Sequence, residues 1–445
     1  MIYSIVLAAG KGTRMKTELP KCAFPLLKKP MISYILESLK GSMVENNIVI
    51  LGHKKEYFSD LLDDCLIAYQ NEQLGTAHAV KMGLELLNEG ITIILPGDAP
   101  LISPEIIDGL INEHIKNKNE LTVGAMVVNN PFGYGRIIMK DDSFVGIVEE
   151  KEATEEQKQI NVCNSGLMVV NNDVLKKAIS QVKNDNSKHE YYLTDIVYYI
   201  ERKGISLIKD VDLLTGVNDL YTLSCLEDFL RDSINRKHMY NGVNIINQSS
   251  VIIGPDVKIG KGTVIMPNTV ITGNTEIGEN SIIGPSSELH NAVIMNNATV
   301  KHSVVYDSKV CDNATVGPFA HLRMNTIVGE NDRIGNFVEI KKSTLGSNTN
   351  AAHLTYMGDS IIGSHVNMGC GVITVNYDGK NKNKTIIGDN VFVGCNSNLI
   401  APVKIGDGAY IAAGSTITKD VPNDALAIAR SNQTNKEDYA KKYKK

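Results

Sequence analysis

The sequence contains no tryptophan, no long apolar run and no pair of cysteines spaced as Cys-X-X-Cys. No apolar stretch approaches the roughly 18 residues that a membrane-spanning helix needs, so we expect no membrane span. The seven cysteines are scattered singly, which argues against a disulfide framework or a structural zinc site and favours a reducing cytoplasm. The opening run, MIYSIVLAAG, lacks a basic segment, so we expect a buried strand rather than a signal peptide.

The chain also lacks an excess of basic residues. Its formal net charge of −5 gives no overall electrostatic footprint for nucleic acid, and we expect the lysines near its end to be solvated. With 43% hydrophobic and 21% charged residues, the composition is that of a globular protein, with neither nucleic acid nor a membrane as partner. A length of 445 residues predicts more than one domain.

The second half of the chain has a period of six residues. A β-sandwich could imitate such a period, but its turns recur about every 8–12 residues and keep no common phase. Six-residue units, each with one short strand and one turn, predict a parallel β-helix, whose flat sides and open ends predict oligomerisation. Apolar residues occupy every sixth position in three blocks, namely Ile253, Ile259, Ile265, Ile271, Ile277, Ile283 and Leu289, then Val310, Val316, Leu322, Val328, Ile334 and Ile340, and then Ile387, Val393, Leu399, Ile405, Ile411 and Ile417.

The first half has a different pattern, in which short apolar runs alternate with helical periodicity. Runs at residues 4–9, 48–51 and 91–95 do not alternate in polarity, as expected for strands buried on both faces. Their alternation with helical segments predicts a parallel sheet with helices on both sides. Residues 219–240 have the spacing of one helix. We therefore predict a first domain at 1–220, a helical linker at 221–241 and a β-helical domain with a C-terminal tail at 242–445.

A glycine-rich segment follows the first predicted strand. Residues 7–15 have the sequence LAAGKGTRM, and Lys21 follows Pro20 a few residues later. This is not a Walker loop, because the GxxxxGK[ST] spacing is absent. Small residues at a strand-to-helix turn nevertheless let backbone N–H groups approach an anion, while Lys11, Arg14 and Lys21 supply positive charge. The whole string resembles the signature of sugar-1-phosphate nucleotidylyltransferases.

Two oxygen-bearing side chains add a candidate metal site. Asp98 follows the apolar run 91–95, at the carboxyl end of a predicted strand, and Asn218 follows Gly216-Val217. Mg²⁺ prefers oxygen ligands and is commonly held by one or two protein groups together with phosphates and water. Read alone, Asp98 could equally form a turn, but beside the glycine-rich segment we favour a ligand.

Further motifs make the resemblance specific. They are QLGTAH at residues 73–78, GYGRI at 133–137, NSG at 164–166, GVN at 216–218, HLTY at 353–356 and NYDG at 376–379. Together they resemble, over essentially the whole chain, the bacterial bifunctional N-acetylglucosamine-1-phosphate uridylyltransferase/glucosamine-1-phosphate acetyltransferases. The resemblance implies a Rossmann-like nucleotidyltransferase domain, then a left-handed parallel β-helix of hexapeptide repeats. It also implies a homotrimer with acetyl-CoA sites shared between neighbouring copies.

The resemblance assigns roles in the first domain. Leu7, Ala8, Ala9, Gly10, Gln70, Gly75 and Thr76 would hold the uracil nucleotide, Gly135, Glu149 and Asn164 the N-acetylglucosamine, and Asp98 and Asn218 the Mg²⁺. One departure is that Cys22-Ala23-Phe24-Pro25 follows Lys21 where the family usually has Val-Leu-His, which leaves the local packing in doubt.

The six-residue period stops twice, and charged residues follow each interruption. The first interruption carries Lys341 and His353, with Arg323 just before it, and the second carries Asn376 and a lysine-rich loop. Because an interruption of a regular coil costs packing, functional residues concentrate there. The cationic side chains could bind a phosphate while a histidine accepts a proton. A lone histidine is more often structural, but the resemblance makes His353 the general base.

The resemblance assigns the remaining roles. Arg323, Lys341, Tyr356 and Asn367 would contact glucosamine-1-phosphate, with a further contact from Asn376, and Cys370, Asn376, Tyr377, Cys395, Ala413 and Arg430 would line the acetyl-CoA site. The family often has serine where Cys395 stands, and a thiol is the weaker hydrogen-bond donor. We therefore interpret Cys395 as a weaker hydrogen-bond donor in place of serine rather than as a covalent nucleophile.

We therefore predict a cytoplasmic enzyme that acetylates glucosamine-1-phosphate from acetyl-CoA and then transfers UMP from UTP to the product. One alternative is another sugar-1-phosphate nucleotidylyltransferase with a β-helical tail, such as a glucose-1-phosphate adenylyltransferase. Another makes the β-helix a non-catalytic trimerisation scaffold. The first would need the nucleotide signature but not His353 or Asn376-Tyr377, and the second would have unbroken hexads without the charged constellation.

Overall fold

The computed structural model describes residues 1–10, 12–52 and 54–444. It divides into two compact units, Met1–Asp228 and Phe229–Lys445. In the described part of the chain, no helix combines the length and the apolar character that crossing a bilayer requires.

The first unit is built on a mixed β-sheet. Ile2–Ala8 lies at its centre, parallel to Asn46–Leu51 on one side and to Ile91–Pro96 on the other. In spatial order the main strands are Lys203–Leu207, Leu121–Val127, Val162–Asn171, Ile91–Pro96, Ile2–Ala8, Asn46–Leu51 and Leu66–Tyr69, and Arg136–Lys140 and Ser143–Val148 form a hairpin beside Val162–Asn171.

The predicted parallel sheet is in fact mixed, because it contains an antiparallel hairpin and one antiparallel main strand. Val162–Asn171 runs antiparallel to both Ile91–Pro96 and Leu121–Val127. A parallel connection needs a crossover, usually a helix, that carries the chain back across the sheet. The segment before Val162–Asn171 contains only the four-residue helix Glu155–Lys158, which is too short to do so.

Helices cover both faces of this sheet. Consecutive strand residues face opposite sides, so that Ile5 packs in one core and Val6 in the other. This two-sided burial explains why the strand sequences do not alternate in polarity. The α-helices of the unit are Met31–Lys40, Thr76–Gly83, Pro104–Asn117, Glu155–Lys158 and Asn172–Ile179, and a further helix, Leu220–Tyr240, contains the division between the two units.

The second unit is a β-helix with three parallel sheets, which we call faces A, B and C. Face A consists of Asn244–Ile245, Val264–Ile265, Ile282–Ile283, Thr299–Val300, Thr315–Val316, Arg333–Asn336, Asn350–His353, Asn367–Met368, Phe392–Val393, Tyr410–Ile411 and Leu426–Ala427. Face B consists of Ile252–Ile253, Val270–Thr272, Glu288–His290, Val304–Tyr306, His321–Arg323, Glu339–Lys341, Tyr356–Gly358, Ile373–Val375, Asn398–Ile400 and Thr416–Ile417. Face C consists of Lys258–Ile259, Glu276–Ile277, Val293–Ile294, Lys309–Val310, Ile327–Val328, Thr344–Leu345, Ser360–Ile362, Thr385–Ile387 and Val403–Ile405.

The apolar residues of the hexads stack along the inside of these faces. On face B, for example, Ile253 pairs with Ile271 and Ile271 with Leu289, and all three are fully buried. The corners between faces require left-handed backbone, which asparagine tolerates better than most residues. Asn280, Asn297, Asn313, Asn331 and Asn348 occupy one such corner in successive coils, with φ between 56° and 61°. The hexapeptide β-helix predicted from the sequence is confirmed.

The first predicted interruption is not an excursion from the coil. Between Ile340 and Thr374 the strands continue on all three faces. Some turns are shortened by one residue, which shifts the phase of the six-residue period. His353 therefore ends the regular strand Asn350–His353, paired with Asn336. The second interruption is real, because a loop separates Ile373–Val375 from Thr385–Ile387.

Candidate active sites

The first candidate site is a cleft of about 520 Å³ at the carboxyl end of the central strand Ile2–Ala8. This is where parallel α/β sheets place ligands. Most of the residues predicted for the nucleotide meet here, namely Leu7, Ala9, Gly10, Arg14, Lys21, Gln70, Gly75, Thr76, Asp98, Glu149 and Asn218. Ala8 points away into the core, so only its backbone could face a ligand, and Lys11 lies outside the described residues.

One ammonium group joins the two predicted metal ligands. Lys21 Nζ donates to Asp98 Oδ2 and to Asn218 Oδ1, the latter at 3.0 Å. Arg14 Nη2 also donates to Asn218 Oδ1, at 2.7 Å. The N–H of Val217 donates to the carbonyl of Asp98 at 2.8 Å, which ties together the chain segments that carry the two side chains. Both oxygens are thus within reach of a single cation.

This donor set fits Mg²⁺ rather than a metal held by protein alone. Within residues 1–10, 12–52 and 54–444, no cluster of three or more His, Cys, Asp or Glu side chains could hold a metal ion. A carboxylate and an amide oxygen, completed by substrate phosphates and water, are typical of Mg²⁺ at phosphate-transfer sites.

The side of the cleft that is predicted to hold the nucleotide contains a tight backbone approach at Gly75. Gly75 has φ of 113°, and a Cβ there would collide with the carbonyl of Tyr191, so only glycine fits. The buried Gln70 donates from Nε2 to the carbonyl of Gly75 at 2.9 Å. Thr76 Oγ1 accepts from the N–H of Leu193 at 2.9 Å.

The predicted sugar residues lie together at the other side. The N–H of Asn164 donates to the carbonyl of Gly135 at 2.9 Å. A Cβ built on Gly135 would lie 3.6 Å from Glu149 Oε1 and 3.7 Å from Asn164 Cβ. Gly135 and Asn164 do not line the cleft itself, whereas Glu149 does.

Among the lining residues that were not predicted as site residues, three come from one segment. Lys188, Glu190 and Tyr192 belong to the segment before the 3₁₀ helix Leu193–Tyr199. The adjacent Tyr191 and Tyr192, in an otherwise polar stretch, were the feature of the sequence that could have indicated this segment. The departure at Cys22 places a thiol that packs in the core and also lines the cleft, and burial raises the pKa of this thiol. Lys21 remains directed into the cleft.

The second candidate site begins with a cluster of cations on face B. Arg323 and Lys341 are paired neighbours on successive strands. The proximity of Lys382, burial and the nearby charge of Arg323 lower the pKa of Lys341. Glu339 Oε1 accepts from Arg323 Nη2 at 2.6 Å and neutralises only part of this charge. An anion such as a phosphate would relieve the repulsion.

Two polar side chains converge beside these cations. A Cβ on Gly358 would lie 2.5 Å from Tyr356 Oη and 2.8 Å from Asn376 Nδ2, so a glycine is needed between them. Asn376 is buried and donates to Asp359 Oδ2 at 2.6 Å. Glu339, Asp359 and Lys382 were absent from the predicted site, because their positions depend on neighbouring coils.

The predicted base and three of the predicted acetyl-CoA residues share one corner, between faces A and B. His353, Cys370, Cys395 and Ala413 immediately precede this turn in successive coils. Arg430 Nη1 donates to the carbonyl of Ala413 at 2.6 Å. His353 and Cys395 are both exposed there. The corner is therefore a continuous column that an extended ligand could follow.

The remaining predicted residues lie apart from this column. Asn367 is on face A, whereas Arg323, Lys341 and Tyr356 are on face B. Tyr377 is exposed in the loop after face B, where its hydroxyl donates to the carbonyl of Gly379 at 2.7 Å. Asn367 thus lies on a different face of the coil from the three residues predicted to share its substrate.

A nucleotide cleft at the end of a central parallel strand, joined to a hexapeptide β-helix, defines a nucleotidyltransferase fused to a hexapeptide-type transferase. Comparisons agree. Residues 3–209 match the family model for nucleotidyl transferases, and residues 256–291 and 384–419 match that for bacterial transferase hexapeptide repeats.

Relatives that match over the whole length carry the name "Bifunctional protein GlmU". The chain is 50% identical to that of Acholeplasma laidlawii over 446 residues, which cover 99% of this chain and 97% of the relative. It is 47% identical to that of Staphylococcus epidermidis, over 99% of both chains. It is 48% identical to that of Caldanaerobacter subterraneus subsp. tengcongensis, over 98% of this chain and 97% of the relative.

The chain belongs to the GlmU family of bifunctional uridylyltransferases and acetyltransferases. The resemblance found in the motifs is thereby confirmed. The alternative of a nucleotidylyltransferase with a merely structural β-helix is not supported.

Proposed function

We propose that residues 1–220 transfer UMP from UTP to N-acetylglucosamine-1-phosphate, that residues 242–445 acetylate glucosamine-1-phosphate, and that residues 221–241 link them. The observation that carries the first assignment is the contact of Lys21 with both Asp98 and Asn218 in the cleft. In this reaction a phosphate oxygen of the sugar attacks the α-phosphorus of UTP and pyrophosphate leaves.

The residues of the cleft hold two anionic reactants against their mutual repulsion. Asp98 and Asn218 would hold Mg²⁺, which supplies charge neutralisation when bound. Lys21 and Arg14 supply positive charge at the phosphates, and the Gly75–Thr76 segment with Gln70 orients the nucleotide. Glu149 and Asn164 orient the sugar. Positioning and electrostatic stabilisation are the main contributions that a protein makes to phosphoryl and nucleotidyl transfer.

Acetyl transfer uses the corner column and the cations on face B. The sugar amine attacks the thioester carbonyl of acetyl-CoA, the C–S bond breaks, and the CoA thiol leaves. His353 accepts the proton that the amine loses. Arg323, Lys341 and Tyr356 hold the sugar phosphate, and Asn376 adds a contact. Cys370, Tyr377, Cys395, Ala413 and Arg430 line the path of acetyl-CoA.

We further propose that the working form is a homotrimer. Asn367 lies on face A and Lys341 on face B, and packing face A of one copy against face B of the next would bring the two residues to one substrate. Light scattering should give three times the chain mass of 48.6 kDa. A monomer with full acetyltransferase activity would contradict this assembly. We also propose a cytoplasmic location, supported by the seven free cysteines.

Both reactions can be tested in one vessel. Purified protein receives glucosamine-1-phosphate, acetyl-CoA, UTP and Mg²⁺, and products are resolved by mass. UDP-N-acetylglucosamine should form, and without acetyl-CoA it should form only when N-acetylglucosamine-1-phosphate is supplied. Uridylyl transfer without any acetylation would contradict the role of the β-helix.

A further inference from the structure

A short segment connects the two sides of the nucleotide cleft. Tyr191 exchanges backbone hydrogen bonds with the nucleotide side, donating to the carbonyl of Leu74 and accepting from the N–H of Ala77, at 2.8 and 2.9 Å. Leu193 donates its N–H to Thr76 Oγ1 at 2.9 Å. The next residue, Thr194, turns to the sugar side. The segment 191–194 is therefore a physical link between the two halves of the site.

Thr194 contacts Glu149, the residue proposed to bind the sugar. Its Oγ1 donates to Glu149 Oε1 at 3.0 Å, and the residue is only 6% exposed. A hydroxyl donating to a carboxylate makes a charge-assisted hydrogen bond, which is stronger than a neutral one. Among the described residues Oε2 accepts no hydrogen bond, which leaves it available to a hydroxyl or N–H of the substrate.

The surroundings of Glu149 make this hydroxyl important. Across the part of the chain that the structure describes, Glu149 forms no salt bridge, and Thr194 Oγ1 is its hydrogen-bond donor. A second carboxylate, Asp195, lines a separate cavity together with Glu149. Burial raises the pKa of Asp195 to about 6, and the charge of Glu149 adds to the rise. Without the hydroxyl, repulsion from Asp195 would be free to turn Glu149 out of position.

We infer that Thr194 is a positioning residue for uridylyl transfer, whose hydroxyl fixes the Glu149 carboxylate toward the sugar of N-acetylglucosamine-1-phosphate. This inference rests on the proposed role of Glu149. Thr194 itself does not line the cleft. It acts through Glu149, and its removal should impair binding of the sugar phosphate rather than of UTP.

The test compares Thr194→Val, which keeps the shape of the side chain but loses the hydroxyl, with Thr194→Ser, which keeps the hydroxyl. In the valine variant, KM for N-acetylglucosamine-1-phosphate should rise roughly 5- to 20-fold, as expected for losing a hydrogen bond to a charged group. KM for UTP should change less than about twofold. The serine variant should stay close to wild type, and acetyl transfer serves as an internal control in every variant.

A double-mutant cycle with Glu149→Gln separates the possible failures. If Thr194 acts through Glu149, the valine substitution should add little in the glutamine background. A raised KM in Glu149→Gln with an unchanged KM in Thr194→Val would overturn the inference and leave the proposed site intact. An unchanged KM in Glu149→Gln would instead refute the role of Glu149. Should Thr194→Val not fold, Thr194→Ala provides the same comparison with a smaller side chain.

Discussion

The role of His353 gives the sharpest prediction. The residue is exposed at the end of a regular strand, and among the described residues its side chain makes no hydrogen bond. Replacing it by asparagine should therefore change the free energy of unfolding by no more than about 0.5 kcal/mol. Asparagine cannot accept the proton, so acetyl-transfer kcat/KM should fall roughly 10²- to 10⁴-fold. That loss corresponds to about 3–5 kcal/mol in the barrier.

The assay measures CoA release with glucosamine-1-phosphate, and uridylyl transfer to supplied N-acetylglucosamine-1-phosphate is measured in the same preparations. In wild type, acetyl transfer should decline as pH falls, because an imidazolium cannot accept a proton. The substrate amine also becomes protonated and adds to that decline. His353→Asn should lose the rate at every pH, with uridylyl transfer unaffected.

The chain offers a matched control in His365. It is exposed at a corner, with φ of 58°, where the neighbouring coils carry Asn348 and Asn390 with φ of 61° and 58°. His365→Asn should therefore preserve the fold and both activities. Near-wild-type acetylation by folded His353→Asn would refute the base. An equal loss in His365→Asn would show that the effect is structural.

Three further predictions concern other charged groups. Asp98→Ala should lower uridylyl transfer roughly 10²-fold or more and leave acetylation near normal, and equal loss of both in folded protein would contradict two separate sites. Lys341→Met should raise KM for glucosamine-1-phosphate roughly 10-fold or more. The control, Lys404→Met at an exposed position on face C, should leave KM unchanged. Equal KM values in the two variants would count against a phosphate contact. Asp332 is buried, and desolvation raises its pKa to about 6. Its protonated form therefore contributes to stability below about pH 4, and this contribution is lost as pH rises through 6. Urea titrations at pH 4 and 7.5 should show a loss of up to about 3 kcal/mol in wild type that is absent in Asp332→Asn, and identical pH dependence of the two proteins would refute it.

The fold was largely predictable from the sequence because its signals are local. Each hexad places one apolar residue inside and one turn at a corner, so a simple period predicts the β-helix. The antiparallel strand Val162–Asn171 was not predicted, because direction depends on how the preceding segment crosses the sheet. The phase shift after Ile340 was mistaken for an interruption, because a turn shortened by one residue breaks the count without breaking the coil.

By itself, the sequence determined the family, the repeat and most of the residues that line the cleft, because short motifs carry both the backbone turns and the reactive groups. Tertiary structure alone decided which of these groups meet. Lys382 reaches Lys341 because a loop folds back over face B, and Thr194 reaches Glu149 although 45 residues separate them. Asn367 and Lys341 lie on different faces of the coil although they are close in sequence. Such contacts depend on distances through space, and no local pattern of residues encodes them.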